Sequence, residues 1–157
     1  MQENSAVERI VEKYGDMLYR LCLIMLCVPA DAEDAVQETV IAYFRKAPDF
    51  SDTEHEKAWL ITVARNKCRS MQRFRKRHQA LGEEALETVP QDEESSHIIE
   101  ALMSLPEKYR LALTLHYIEG YKVDEIAKMI GRTPSAVKMQ LSKGRELLGK
   151  KYKEEYL

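Results

Sequence analysis

Residues 79–96 carry Gly82, Pro90, Ser95 and Ser96 together with Glu83, Glu84, Glu87, Asp92, Glu93 and Glu94, and no Lys or Arg. A segment so polar and so uniformly charged cannot bury a core, and it reads as a solvated acidic linker. On both sides of it apolar residues recur at helical spacing. The 157-residue chain is therefore expected to form two small helical units, over residues 1–78 and 97–157, joined by that linker. As a random coil the linker spans about 25 Å, and stretched it reaches roughly 60 Å. Two units so tethered can grip separated sites on one long partner.

The residues on either side favour an all-α fold. Only six Gly and five Pro occur, and 45% of the chain is hydrophobic, enough for a core. In the N-terminal half, Ser5 and Glu8 have the spacing of a capping box. Behind them Val7, Ile10, Val11, Tyr14, Met17, Leu18, Leu21 and Met25 mark a first helix that Pro29 breaks. Asp31 can cap a second helix with Ala35, Val36, Thr39, Val40, Tyr43 and Phe44 on its apolar face, ending before Pro48. A polar loop over 49–54 precedes a third helix from about His55 to Arg77, giving a three-helix bundle.

The charged faces of this bundle differ. On the second helix Asp31, Glu33, Asp34, Gln37 and Glu38 form an acidic, amide-bearing face, either a solvated surface or a dock for a basic or polar helical partner. The third helix carries Lys57, Arg65, Lys67, Arg69, Arg73, Arg75, Lys76 and Arg77 with no acid between Lys57 and His78, and Asn66 lies among them. Trp59 opens this segment and Phe74 stands near its end. Basic residues interleaved with aromatics suit a surface that tracks phosphates and stacks on unpaired bases. Trp59 also fits a core position beside Leu60 and Val63, and both readings stand.

The C-terminal half is punctuated like a helix-turn-helix. Leu111, Leu113, Leu115 and Tyr117 lie on an apolar helix that Gly120 can end. A short helix over 123–130 turns Ile126, Ala127 and Ile130 inward. Gly131 supplies a turn, and Thr133-Pro134 opens the next helix as cap and first residue. A tightly crossed pair needs a small residue, a glycine and an apolar anchor, and Ala127, Gly131 and Val137 have that spacing. An ordinary helical hairpin is the alternative. The second helix presents Arg132, Ser135, Lys138, Met139, Gln140, Lys143 and Arg145, and residues 128–153 hold eight Lys or Arg against one acid, Glu146. Side chains at the start of such a helix reach base edges while its cations hold phosphates. Lys122 is a poor cap for the first of the two helices, offset by Asp124 and Glu125. Gly144 is expected to soften the far end of the second.

Enzyme readings find little support. His55-Glu56 has no second His four residues on, no Gly-rich phosphate loop exists, and His55, His78, His97 and His116 lack metal-site spacing with Cys22, Cys27 and Cys68. No catalytic residue, metal or cofactor is expected. The three cysteines suit reduced, buried thiols. The polar N-terminus lacks the basic start of a secretory leader, and the apolar run 21–30 is half a membrane span, so a cytoplasmic protein without membrane insertion is expected.

The order DAEDAVQETVIAYF, HEKAWLITVARNKCRSMQRFRKR, acidic linker, and LPEKYRLALTLHYIEGYKVDEIAKMIGRTPSAVKMQLSKGRELL resembles RNA polymerase sigma factors of the extracytoplasmic-function group, over nearly the whole chain. The resemblance implies conserved regions two and four joined directly. It implies that Asp31, Asp34, Gln37 and Glu38 bind the clamp of core RNA polymerase. It further implies that the 49–54 loop and Trp59, Arg65, Asn66, Lys67, Arg69 and Arg73 read and open the −10 element of promoter DNA. There a base is captured out of the stack, which needs a pocket. Arg132, Thr133, Ser135, Ala136, Lys138, Met139, Gln140 and Lys143 match the recognition helix for the −35 element. An anti-sigma factor is a further implied partner, with the free chain a monomer. Lys122, Ala136 and Lys143 depart from the Ser or Thr, Thr, and Arg common at these places, which bears on the promoter read. A stand-alone helix-turn-helix regulator is the main alternative, and a helical interaction module without DNA contact is a third.

Overall fold

The computed structural model describes residues 2–78 and 93–157, with side chains over 5–74 and 97–157; residues 79–92 of the expected linker lie outside the described residues. Among the described residues all regular structure is helical and falls into two units.

The first unit is a three-helix bundle of α1 (Gln2–Leu26), α2 (Pro29–Lys46) and α3 (Thr53–His78), each packed on the other two. Two expected caps are corrected. Helix α1 is already helical at Gln2, since Gln2 and Glu3 are good helix formers, so Ser5 lies inside the helix and not at its start. Helix α2 starts at Pro29, with Val28 at the cap position, and Asp31 sits in its first turn, where its charge meets the positive end of the dipole. Pro29 thus opens α2 rather than cutting α1. The two helices turn at Cys27, a non-glycine residue in left-handed backbone (φ 62°) whose N–H donates to Leu23 O at 2.8 Å. Helix α3 starts two residues earlier than expected, because Asp52 Oδ1 accepts the His55 N–H at 2.8 Å and caps it.

The core holds Ile10, Leu18, Leu21, Cys22 and Met25 of α1, Leu60, Ile61, Ala64 and Cys68 of α3, and Ala32, Ala35 and Thr39 of α2. The small residues on α2 let it lie close to its neighbours. Thr39 makes this possible by donating its buried hydroxyl to Ala35 O at 2.7 Å. Phe44, expected on the apolar face, is 43% exposed, and Ala42 is buried instead.

One charge is taken inside. The Glu56 carboxylate accepts the Tyr14 hydroxyl at 2.6 Å and the Tyr43 hydroxyl at 2.7 Å, so a side chain of α3 ties α1 and α2 together. Burial alone would raise its pKa, but the two hydroxyls and the charges of Arg9 and Lys13 outweigh it and hold the carboxyl below its ordinary 4.5. Both tyrosines are pushed up, by burial first and then by the Glu56 carboxylate.

The second unit contains α4 (Glu93–Met103), α5 (Glu107–Leu113), α6 (Val123–Ile130) and α7 (Pro134–Tyr156). Helix α4 begins at Glu93, so residues 93–96, expected as linker, are helical. Helix α5 runs into a single π turn, Thr114–Ile118, closed by Glu119 N–H to Thr114 O at 3.0 Å and Tyr121 N–H to Leu115 O at 2.9 Å, with Gly120 at φ 78°. Leu111, Leu113 and Leu115 are buried, but Tyr117 is 57% exposed and its hydroxyl accepts from Arg145 Nη1 at 2.9 Å. Tyr117 and Ile118 are the last residues of that π turn, past the stretch 111–115 that is buried on every side.

The helix-turn-helix forms as its spacing predicts. Ala127 and Val137 are buried, Gly131 has φ 67°, and Thr133 Oγ1 accepts the Ala136 N–H at 3.1 Å with Pro134 behind it. At Lys122 the Glu125 carboxylate accepts the backbone N–H at 2.9 Å, so half of a capping box replaces the missing hydroxyl cap. Gly144 is no soft point: it is buried, and a Cβ there would meet Leu113 at 3.2 Å and Tyr109 at 3.4 Å. Helix α7 crosses α5 at this glycine and continues unbroken to Tyr156, whose ring stacks on His97 of α4 at 4.0 Å and whose hydroxyl donates to Glu100.

Two stability outcomes follow. Gly144→Val should destabilise the C-terminal unit by about 1–3 kcal/mol, read from thermal or urea unfolding, because the added methyls have no room beside Leu113. Glu56→Gln should cost about 1–2 kcal/mol near neutral pH. The folded-state pKa of Glu56 is depressed, so this stabilisation is present above the ordinary carboxyl value and disappears as pH falls through the folded one. The stability gap between native chain and variant should be flat above about pH 5 and close below 4.5 in urea titrations at stepped pH.

Candidate nucleic-acid interface

The start of α7 is held by the Thr133 cap and the buried Val137 and Leu141, which leaves the opposite face outward. Ala136, Met139, Gln140 and Lys143 line a groove of about 560 Å³ against Lys108 and Tyr109 of α5. Met139 is 73% exposed. Gln140 turns its amide oxygen inward, where it has no hydrogen-bond partner among the described atoms. Lys143 pairs with Glu146 at 3.7 Å, both half exposed or more, a contact weak enough to exchange for another anion. Arg132, Ser135 and Lys138 are exposed outside the groove, while the Thr133 oxygen is committed to the cap. Lys108 and Tyr109 escaped the sequence reading because their place in the groove depends on how α5 crosses α7.

On α3, Asn66 and Arg73 are exposed, with Arg65, Lys67 and Arg69 half-buried. Arg65 Nη1 donates to Asn66 Oδ1 at 3.3 Å and Arg73 Nη2 to Ser70 Oγ at 3.3 Å, so these cations stand along one outer surface. Side chains of Arg75, Lys76 and Arg77 lie outside the described ones. Lys67 is on the other flank and faces α2. With Glu38, Ile41, Ala42, Arg45 and Lys46 it lines a cleft of about 360 Å³. Two surfaces that the sequence separates, the acidic face and the basic helix, thus meet at Glu38 and Lys67.

Trp59 is neither fully buried nor fully exposed. It is half-buried at the rim, in an aromatic cluster where the 47–52 connection meets α3. Its ring lies edge-on to Tyr43 at 6.2 Å and to Phe50 at 5.9 Å. Tyr43 and Phe50 stack at 6.0 Å with 17° between planes, and His55 meets Phe50 edge-on at 5.2 Å. Asp34, Gln37 and Glu38 are exposed along α2 and Asp31 is half-buried. Ile41, 50% exposed, extends this face one turn further as an apolar patch that the sequence reading passed over. No group of three or more metal-ligating side chains occurs among the described residues, and no described helix is long and apolar enough to cross a membrane.

Comparison with known proteins adds to this geometry. The family model described as Sigma-70 region 2 matches residues 10–78, and that described as Sigma-70, region 4 matches residues 97–148. The ECF RNA polymerase sigma factor SigW of Bacillus subtilis is 28% identical over 173 aligned positions, covering 97% of this chain and 91% of the relative. The ECF RNA polymerase sigma factor SigE of Mycolicibacterium smegmatis is 30% identical, covering 90% of this chain and 59% of the relative. Among solved structures, the sigma factor RpoE of Bartonella quintana, in complex with the anti-sigma factor NepR, matches with a TM-score of 0.79 at 23% identity. That match covers 94% of this chain and 97% of the other, and it supports the fold. Two region models in sequence, on a chain whose relatives match across both units, favour this family over a stand-alone regulator. The chain belongs to the sigma-70 family of RNA polymerase sigma factors, within the extracytoplasmic-function group.

Proposed function

We propose that the two units divide the work of one promoter-directing subunit. As a sigma factor the chain joins core RNA polymerase and brings it to specific promoters. Residues 97–157 read the upstream element: the outward face of α7 enters the major groove, Lys138, Met139 and Gln140 meet base edges, and Arg132 and Lys143 hold phosphates. Residues 1–78 take the downstream element. Asn66, Arg65, Arg69 and Arg73 follow the strand, and the Tyr43–Phe50–Trp59 cluster receives an unstacked base. The α2 face through Asp34, Gln37, Glu38 and Ile41 docks on the polymerase clamp, and Lys67 belongs to the edge of that dock as much as to the DNA surface. The segment 79–92, between α3 and α4, keeps the two units on one promoter. The observation that carries this reading is the exposed cationic start of α7, set on a helix-turn-helix whose own core is complete without those residues.

The chain acts by placement, and RNA synthesis belongs to the polymerase. It works in the cytoplasm as a monomer when free. An anti-sigma factor is a proposed regulator, since RpoE and CnrH are both seen in complex with such proteins, NepR and the cytosolic domain of CnrY.

Run-off transcription with purified core polymerase on genomic fragments, including the promoter of this gene, is the direct test: discrete start sites are expected only when the chain is added. Lys138→Ala with Gln140→Ala should weaken upstream recognition by ten- to a hundred-fold and leave polymerase affinity intact. Asp34→Ala with Glu38→Ala should do the reverse. Identical failure of both pairs in folded protein removes the division of labour. Lys143→Ala should lower the salt slope of promoter binding by about one, measured by titration of holoenzyme at stepped ionic strength.

A further inference from the structure

The contacts that end on the aromatic cluster begin at a buried carboxylate. Glu56 lies one turn along α3 from Asp52 and three residues before Trp59, with its side chain turned into the bundle. Its Oε2 accepts the Tyr43 hydroxyl at 2.7 Å while its Oε1 is held by the Tyr14 hydroxyl at 2.6 Å. Arg9 Nη2 reaches the same Tyr43 hydroxyl at 3.5 Å. A tyrosine ring fixed to its backbone at one end and to a carboxylate at the other has lost its freedom to swing. That ring is the hub of the cluster: Phe50 stacks on it and Phe44 and Trp59 meet it edge-on. Phe50 comes from the connection between α2 and α3, and Tyr43 is the ring that stacks on its face, while His55 and Trp59 meet it edge-on. A stacking surface works when its rings hold their faces in place before the ligand arrives, and side chains locked by a supporting hydrogen bond do this best.

We propose that Glu56 is a positioning residue for promoter melting: by gripping Tyr43 it holds the Phe50–Trp59 platform in the geometry that receives an unstacked base. This rests on the base-capture reading above and assigns it a supporting group that touches no DNA.

The test uses holoenzyme, reconstituted from the full chain and core polymerase, on the promoter found by run-off transcription. Single abasic sites are stepped through the downstream element, and open-complex formation is read by permanganate reactivity. The native chain should show one position where loss of the base lowers opening. Tyr43→Phe and Glu56→Gln should each lower opening roughly ten-fold on intact promoter, with no further loss at that abasic position, because both defects remove one interaction. Tyr14→Phe frees the other oxygen of the same carboxylate without touching the platform. It should lower the melting temperature yet keep the full dependence on that base. Polymerase affinity should be unchanged in all three. Additive losses at the abasic position, or Tyr14→Phe behaving like Tyr43→Phe, would overturn the assignment. If Glu56→Gln does not fold, Tyr43→Phe decides alone. If no single base matters to the native chain, base capture itself is wrong and the assignment goes with it.

Discussion

A carboxylate shared by two phenols decides how the N-terminal bundle closes. Among the described residues Glu56 is the one charged side chain in the core, and each of its oxygens is claimed by a different helix. Apolar burial is non-directional and would allow α1 and α2 to slide against α3. Two short charge-assisted hydrogen bonds do not allow it. The buried charge therefore confers register more than stability, and the energetic risk of placing it inside is offset because both oxygens are partnered and cations stand nearby. The aromatic cluster at the rim, including Trp59, is the outer end of that same arrangement.

The C-terminal unit solves the matching problem without charge. Small residues set its geometry: Ala127 and Gly131 at the helix-turn-helix, Gly144 at the crossing of α5 and α7. Ala127 keeps the buried side of α6 thin, Gly131 supplies the left-handed turn, and Gly144 leaves room for Leu113 and Tyr109. Polar bonds then finish the ends, with Thr133 capping α7, Glu125 standing in at Lys122 and Tyr156 anchored on His97 and Glu100. At the leading end of α7, Arg132, Ser135, Lys138 and Met139 point outward, and the buried Val137 and Leu141 hold the helix from the other side.

Much of this architecture was legible because it depends on near neighbours. Helical spacing announced the helices of the three-helix bundle. Gly131 and Thr133-Pro134 announced the turn and the next helix, since left-handed backbone, a hydroxyl cap and a fixed φ are local matters. The misses share a different origin. Ser5 and Asp31 have capping chemistry, yet the helices start earlier, at Gln2 and at Pro29. Phe44 and Tyr117 are apolar in type but exposed in place, the second at the end of a π turn. Glu56 figures in the sequence reading only as half of the His55-Glu56 pair, because its partners stand 42 and 13 residues away. The groove residues Lys108 and Tyr109, the junction of Glu38 with Lys67 and the purpose of Gly144 are likewise products of tertiary crossing. Periodicity cannot report a residue whose meaning is set by another helix.

The crossing at Gly144 has a mechanical side. From that pivot to Pro134 helix α7 runs ten residues, about 15 Å of stiff rod. A tilt of only about 5° at the pivot would sweep the leading end of such a lever arm by a little over ~1 Å, the margin between a made and a missed hydrogen bond. The aim of the leading end thus depends on a buried crossing ten residues behind it, where one added carbon atom would press on Leu113, as well as on the Val137 and Leu141 packing nearer the tip.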